Sequence, residues 1–209
     1  MLIDISNGEV LDKLSILEIK QNKIKDEIRL IEIRKEIDIL SCSIIKNEYI
    51  LYYKLLFYIN ELIWNETDEI KCMTELNNIY AEKSFFIFEL NQQRFRIKNI
   101  INKVTCSNIK EQKSYKQNTI VLCLEEDITI HDIIVKCLYL ILHYDEVILI
   151  NNKYSIHHSN VIQRHIPLIT FTDTCNDFNI INIINNVTNT KIVNEISDII
   201  SDIISDIII

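Results

Sequence analysis

Apolar residues recur at intervals of three and four along the first half of the chain. Val10, Leu14 and Leu17 share one face, widened by Leu11, and predict an amphipathic helix running to about Lys25. Ser6-Asn7-Gly8-Glu9 marks its start as a capping box, with Ser6 as N-cap and Glu9 at N3, and Ile5 and Val10 sit where a hydrophobic staple packs. A second periodic run extends from about Asp26 through Ile31, Ile37 and Leu40 to Trp64. It holds neither Gly nor Pro, so one long helix and two with a slight break both satisfy it. Asn65-Glu66-Thr67-Asp68 reads as a turn and a new cap, Glu69 to Tyr80 as a shorter helix, and Ser84 to Val104 as another strong one. Four or five helices joined by short connections should pack as near-antiparallel neighbours, in a bundle or a helical hairpin.

After Thr105 the pattern changes. Residues 119–124 form a short apolar run of strand length, Ile130 to Tyr144 an apolar helix, and Glu146 to Ile150 a second strand-like run, which together predict a parallel, right-handed β-α-β unit. Asn151 to Ser155 reads as a turn, residues 158–165 as a short helix, and Pro167 opens a third strand through Phe171. The tail repeats Ser-Asp-Ile-Ile three times, at 197–200, 201–204 and 205–208, and reads as a docking amphipathic helix. The fold class expected is α+β: an N-terminal antiparallel long-helix bundle or hairpin over residues 1–116, then a small acidic α/β segment with a parallel sheet and a C-terminal amphipathic helix over residues 117–209.

Charge supports the same division. Residues 1–116 carry 18 basic and 18 acidic side chains, whereas residues 117–209 carry 4 basic and 12 acidic, so the whole net charge of −8 lies in the second part. That argues against nucleic acid or anionic lipid as its partner. Residues 90–116 hold seven basic side chains against one acid, but these are spread round a helix that must bury its other face, and the acidic half would repel phosphates, so nucleic acid is not an expected partner there either. The chain has one Gly, one Pro and a great excess of Ile and Asn. This fits AT-biased coding, in which an Ile marks an apolar position and carries little information about strand preference.

No signal-peptide pattern and no apolar run of about 18 residues is visible, so no membrane association is expected and the reading is cytoplasmic, host cytoplasm if the source is a virus. The six cysteines stand singly, without a C-x-x-C pair, and are expected as reduced, mostly buried thiols. His157, His158, His165 and Cys175 do not follow metal-ligand spacing, so no metal and no cofactor are expected. The turn at Glu125-Glu126-Asp127 follows a strand as in the first unit of two-domain, Rossmann-like glycosyltransferases, which it resembles in outline. It has three acids in place of the phosphate-approaching glycines, which disfavours nucleotide binding there.

Three stretches carry a specific pattern. Residues 3–20, Ile-Asp-Ile-Ser-Asn-Gly-Glu-Val-Leu-Asp-Lys-Leu-Ser-Ile-Leu-Glu-Ile-Lys, resemble the opening of an uncharacterised family found in bacteria and large DNA viruses. Asn91, Arg94, Ile97, Lys98, Ile101 and Asn102 resemble its second motif, and Glu111-Gln112-Lys113-Ser114-Tyr115 its E-E-K-S-Y ending. Leu90, Gln92 and Gln112 depart from the pattern, removing two carboxylates and a hydroxyl and weakening any metal-binding version of the site. The resemblance covers residues 1–115. It implies common ancestry and no activity, with a setting near enzymes of surface-glycan assembly.

On a helical wheel Leu11 and Leu14 flank Glu18, which points a carboxylate into the apolar face and calls for a cationic partner. Asn91, Arg94, Lys98 and Asn102 form one polar stripe at spacings of three, four and four. The expectation is that Glu18 pairs with Arg94 or Lys98 across the helix interface, either as an ion pair that fixes register, the favoured reading, or as part of a cleft for an anionic small molecule lined by Glu18, Asn91, Arg94, Lys98 and Asn102. Lys113, Ser114 and Tyr115 would clamp that cleft or, as favoured, anchor the linker. Glu9, Lys13 and Lys20 read as a solvated network. Two function classes follow: a non-catalytic binding or scaffold module with a protein partner on its helical surface, or a small enzyme or sensor for an anionic sugar or nucleotide. Long exposed helices also suit a homodimer.

Overall fold

The computed structural model describes residues 4–41, 49–109, 111, 118–123, 129–150, 159–160, 162–163, 166, 169–172 and 182–183. The chain divides into two compact units, Met1–Glu111 and Gln112–Ile209. The first holds helices α1 (Asn7–Lys23), α2 (Glu27–Ser41), α3 (Ile50–Lys71) and α4 (Asn78–Val104); the second holds β1 (Thr119–Cys123), α5 (Ile130–His143), β2 (Glu146–Ile150), β3 (Ile169–Thr172) and β4 (Asn182–Ile183). The fold is α+β.

The contacts of the first unit fix the directions of its helices. Lys13 pairs with Glu36, and Leu17 packs with Leu30 and Ile33, so α2 runs back along α1. Asn60 meets Asp12 and Ser15 while Lys23 reaches Asn65, so α3 runs with α1. Lys83 pairs with Glu66 and Glu69 at one end of α3, and Arg94 approaches the Asp12 that Asn60 also holds, so α4 runs against both. Helix α1 therefore touches all three others and is buried over most of its circumference, with Val10, Leu11, Leu14, Leu17 and Ile19 in the core. By contrast α2 buries only Leu30 and Ile33, and Ile79, Phe85 and Phe88 on the first half of α4 stand exposed.

Ser6 caps α1 as expected, its hydroxyl accepting the Glu9 amide at 3.3 Å. The run from Asp26 to Trp64 divides into α2 and α3, and Asp26 caps α2 by accepting the amides of Ile28 and Arg29. Asn65-Glu66-Thr67-Asp68 is no turn. It lies within α3, which continues to Lys71, because nothing there breaks a helix and Glu66 and Glu69 both find Lys83 across the interface. The break falls at residues 72–77, where Asn77 accepts the Tyr80 amide and starts α4, so no separate helix spans Glu69 to Tyr80.

In the second unit β1 and β2 are parallel, with Thr119 opposite Glu146 and Cys123 opposite Ile150, and α5 lies between them in sequence and packs on β2. β3 joins β2 and β4 joins β1, both parallel, giving the order β3-β2-β1-β4. Thr129 caps α5, accepting the Asp132 amide while its hydroxyl donates to the Asp132 carboxylate. Of residues 158–165, the described positions 159, 160, 162 and 163 are helical. The expected turn at 151–155, the histidines at 157, 158 and 165, Cys175 and the Ser-Asp-Ile-Ile tail lie outside the described residues. Among the described residues no helix is long and apolar enough to cross a membrane. Of the cysteines whose burial is described, Cys137 is buried and Cys72 and Cys106 are exposed at helix ends, where the chain leaves the core; the side chains of Cys42, Cys123 and Cys175 lie outside the described residues.

Candidate functional site

The antiparallel contact of α1 with α4 is built from three polar rungs one helical turn apart. In the first, the start of α1 lies on the end of α4. The Gly8 amide donates to Asn102 Oδ1 at 2.7 Å, and the Asn7 amide to Ser107 Oγ at 3.3 Å. The amides that a helix leaves unpaired at its start are thus satisfied by α4 and the turn after it. Gly8 is required by this approach: a Cβ here would lie 2.5 Å from the backbone oxygen of Lys98 and 2.9 Å from Asn102 Oδ1.

In the second rung, Lys98 Nζ pairs with Glu9 and, at 2.9 Å, with Glu111. The Lys98 side chain is only 11% exposed. Burial works against its charge, but the two carboxylates more than offset this and hold the ammonium above its ordinary value of 10.5.

The third rung is the deepest. Asp12 is 2% exposed, and Arg94 meets it with two parallel bonds, Nε to Oδ1 at 2.8 Å and Nη2 to Oδ2 at 2.5 Å. Asn60 of α3 donates from the same amide nitrogen to Asp12 Oδ1 at 2.9 Å and to Ser15 Oγ at 2.8 Å. Ser15 in turn donates to the Asp12 carbonyl at 2.7 Å. Three helices converge on one carboxylate. Its bond to Asp12 lifts the Arg94 guanidinium above its ordinary range, against the effect of burial. Asp12 thus faces fixed donors on both oxygens, and among the described residues no group of three or more His, Cys, Asp or Glu side chains is placed to hold a metal.

The stripe Arg94, Lys98, Asn102 read from the sequence does face α1, but its partners are Asp12, Glu9 and the Gly8 amide. Glu18 is not the carboxylate that Arg94 or Lys98 holds. It lies six residues beyond Asp12, which at about 100° per residue turns it roughly 120° away, and the group it acts on is the Tyr53 phenol of α3. Asn91 is exposed and donates to its own helix at the Ile87 carbonyl, outside the rungs. Lys113, Ser114 and Tyr115 lie outside the described residues. Glu9, Asp12, Ser15, Asn60 and Ser107 were not singled out as site residues. The missed signal was Gly8, Asp12, Ser15 and Ile19 at spacings of four, three and four, a stripe of small and polar residues closed by an isoleucine. All four are buried.

Two outcomes follow. Gly8→Ala should destabilise the bundle by about 1–3 kcal/mol in urea unfolding, because the added methyl must push α1 off α4; a neutral or stabilising effect, as at an open helical glycine, would contradict the close approach. Burial first, and then the Glu18 carboxylate, push the Tyr53 phenol up from 10.0. The phenol of the unfolded chain therefore ionises first, and the stability it contributes is whole below pH 10 and lost as the pH climbs toward the folded value. Between pH 9 and pH 11.5, roughly spanning the ordinary tyrosine range, wild type should lose stability more steeply than Tyr53→Phe; parallel curves would refute this.

Residues 1–124, more than half of the 209-residue chain, match the model of a family of unknown function, DUF6165. The match takes in the whole of the first unit and reaches through β1. Neither a curated protein nor a solved structure matches the chain. By its sequence over those residues, and with the helical unit described above as its core, the chain belongs to the family of unknown function DUF6165.

Proposed function

We propose that the helical unit is a non-catalytic binding module. The observation that carries this reading is the closure of the polar rungs. The side chains with catalytic potential on the α1–α4 interface, Glu9, Asp12, Arg94 and Lys98, are joined to one another and to Glu111, leaving the interface as a clasp. A general base needs a lone pair free for substrate, and here the carboxylate oxygens are directed inward; of the two cations, Arg94 keeps only its outer edge, beside a small pocket. Recognition then falls to the outer helical surface, where Ile79, Phe85 and Phe88 are exposed on α4 and Ile28 and Ile39 on α2. The partner in this reading is a protein, in the cytoplasm, and the setting that the sequence resemblance suggests is surface-glycan assembly.

A small enzyme or sensor for a nucleotide or nucleotide sugar fits the geometry less well. The pocket beside Arg94 measures about 170 Å³, which is far below the several hundred cubic ångströms such ligands fill. A thermal-shift screen decides between the two. Nucleotide sugars, sugar phosphates and inorganic phosphate at millimolar concentration should leave the melting temperature of the full chain unmoved. An upward shift of several degrees with one of these, abolished in Lys98→Met, would overturn the module reading, since a ligand at a hundredfold its Kd adds about 2.7 kcal/mol.

A further inference from the structure

The pocket of about 170 Å³ lies between α1, α3 and α4, and Arg94 lines it while Asp12 does not. Its walls are Ile16 and Ile19 from α1 and Ile63 and Trp64 from α3. An apolar cavity of roughly 150 Å³ holds a benzene ring, so this space suits one compact ring. Its polar lining is Thr67, Asp68 and Lys71 together with Asn60 and Arg94, and for these last two the clasp determines what each can offer. Of the five guanidinium N–H groups of Arg94, Asp12 takes the one on Nε and one on Nη2, and the remaining edge has no further bond among the described residues. Arg94 is therefore a donor to the pocket.

Asn60 is the converse. Its amide nitrogen spends both hydrogens, on Asp12 Oδ1 and on Ser15 Oγ. A carboxylate partner accepts only, so this orientation of the Asn60 amide is forced, and the group left for the pocket is its carbonyl oxygen. Charge adds a further constraint. Asp12 neutralises Arg94, and at the rim Lys71 pairs with Asp68 at 3.0 Å, so the pocket carries no net charge to reward an anion.

We propose that this pocket is a binding site for a small planar ligand that carries a carboxamide on an apolar ring. The ring lies between the isoleucines and Trp64, the ligand carbonyl accepts from the outer edge of Arg94, and the ligand NH₂ donates to Asn60 Oδ1. A carboxylate of the same shape presents a second oxygen to the Asn60 carbonyl and loses that bond. The site goes beyond the module reading, because it requires neither catalysis nor a protein partner.

Trp64 is the only tryptophan in the chain, so its indole N–H gives one resolved signal in a nitrogen-15 correlation spectrum of the full chain. Benzamide should move that signal saturably, with half-saturation on the order of 1 mM for a ligand of this size. Benzoate should bind roughly fivefold more weakly or worse, for want of the donated bond. Ile16→Phe, which fills the pocket from a half-buried position, should abolish the shift at an unchanged melting temperature. An indole signal unmoved up to about 20 mM benzamide, or benzoate matching benzamide in wild type, would overturn the proposal, the second without recourse to any variant; so would an equal shift in a folded Ile16→Phe protein.

Discussion

Asp12 is a carboxylate at 2% exposure in the middle of a helical bundle, and an ionised group in that position is tolerated only where fixed donors replace the water it has lost. Arg94 supplies two of these donors from α4 and Asn60 a third from α3, so satisfying one side chain of α1 dictates where two other helices must lie and in what register. Apolar packing alone tolerates a slip of one turn between Ile-rich faces. A bidentate guanidinium with a shared amide does not, because one turn along α4 removes both bonds at once.

The other two rungs extend this register along the same interface. Lys98 sits one turn from Arg94 and Asn102 one turn further, and they meet Glu9 and the Gly8 amide in order. Gly8 lets the backbones come close enough for the last of these, and Asn102 and Ser107 occupy amides that would otherwise make the start of α1 an anion site. The residues that give the opening stretch and the second motif their character thus serve a common purpose: they hold α1 in place. The same arrangement shapes the pocket beside it, since the hydrogens that Asp12 and Ser15 claim decide which groups of Arg94 and Asn60 remain there.

The sequence was informative where local rules dominate. Ser6 and Glu9 mark the start of α1 because a cap is a contact between residues three apart, and the strands and helix of residues 119–150 stand out because short apolar runs there are bounded by Thr, Asn and Asp. The stripe on α4 was equally visible, since 94, 98 and 102 fall one turn apart. Its partner was not. The wheel argument for Glu18 assumes one apolar face, whereas α1 contacts three helices and is buried nearly all round, so a residue near the apolar arc can face α3 as easily as α4. Asp12 was overlooked because its neighbours in the stripe, Gly8 and Ser15, are small rather than apolar. The false turn at residues 65–68 has the same origin: Asn and Asp favour caps locally, but Glu66 and Glu69 are engaged by Lys83, seventeen and fourteen residues away, and that contact keeps α3 helical.

A double-mutant cycle at the third rung tests this account most directly. Asp12→Ala, Arg94→Ala and the double variant would be compared with wild type by urea unfolding, with circular dichroism as the probe. Each single change should cost about 3–5 kcal/mol because it strands a buried charge or donor, and the double should cost well below their sum, with a coupling of at least about 2 kcal/mol. Single costs below about 1 kcal/mol that simply add would mean that Asp12 and Arg94 do not hold the helices together, and the clasp would be refuted.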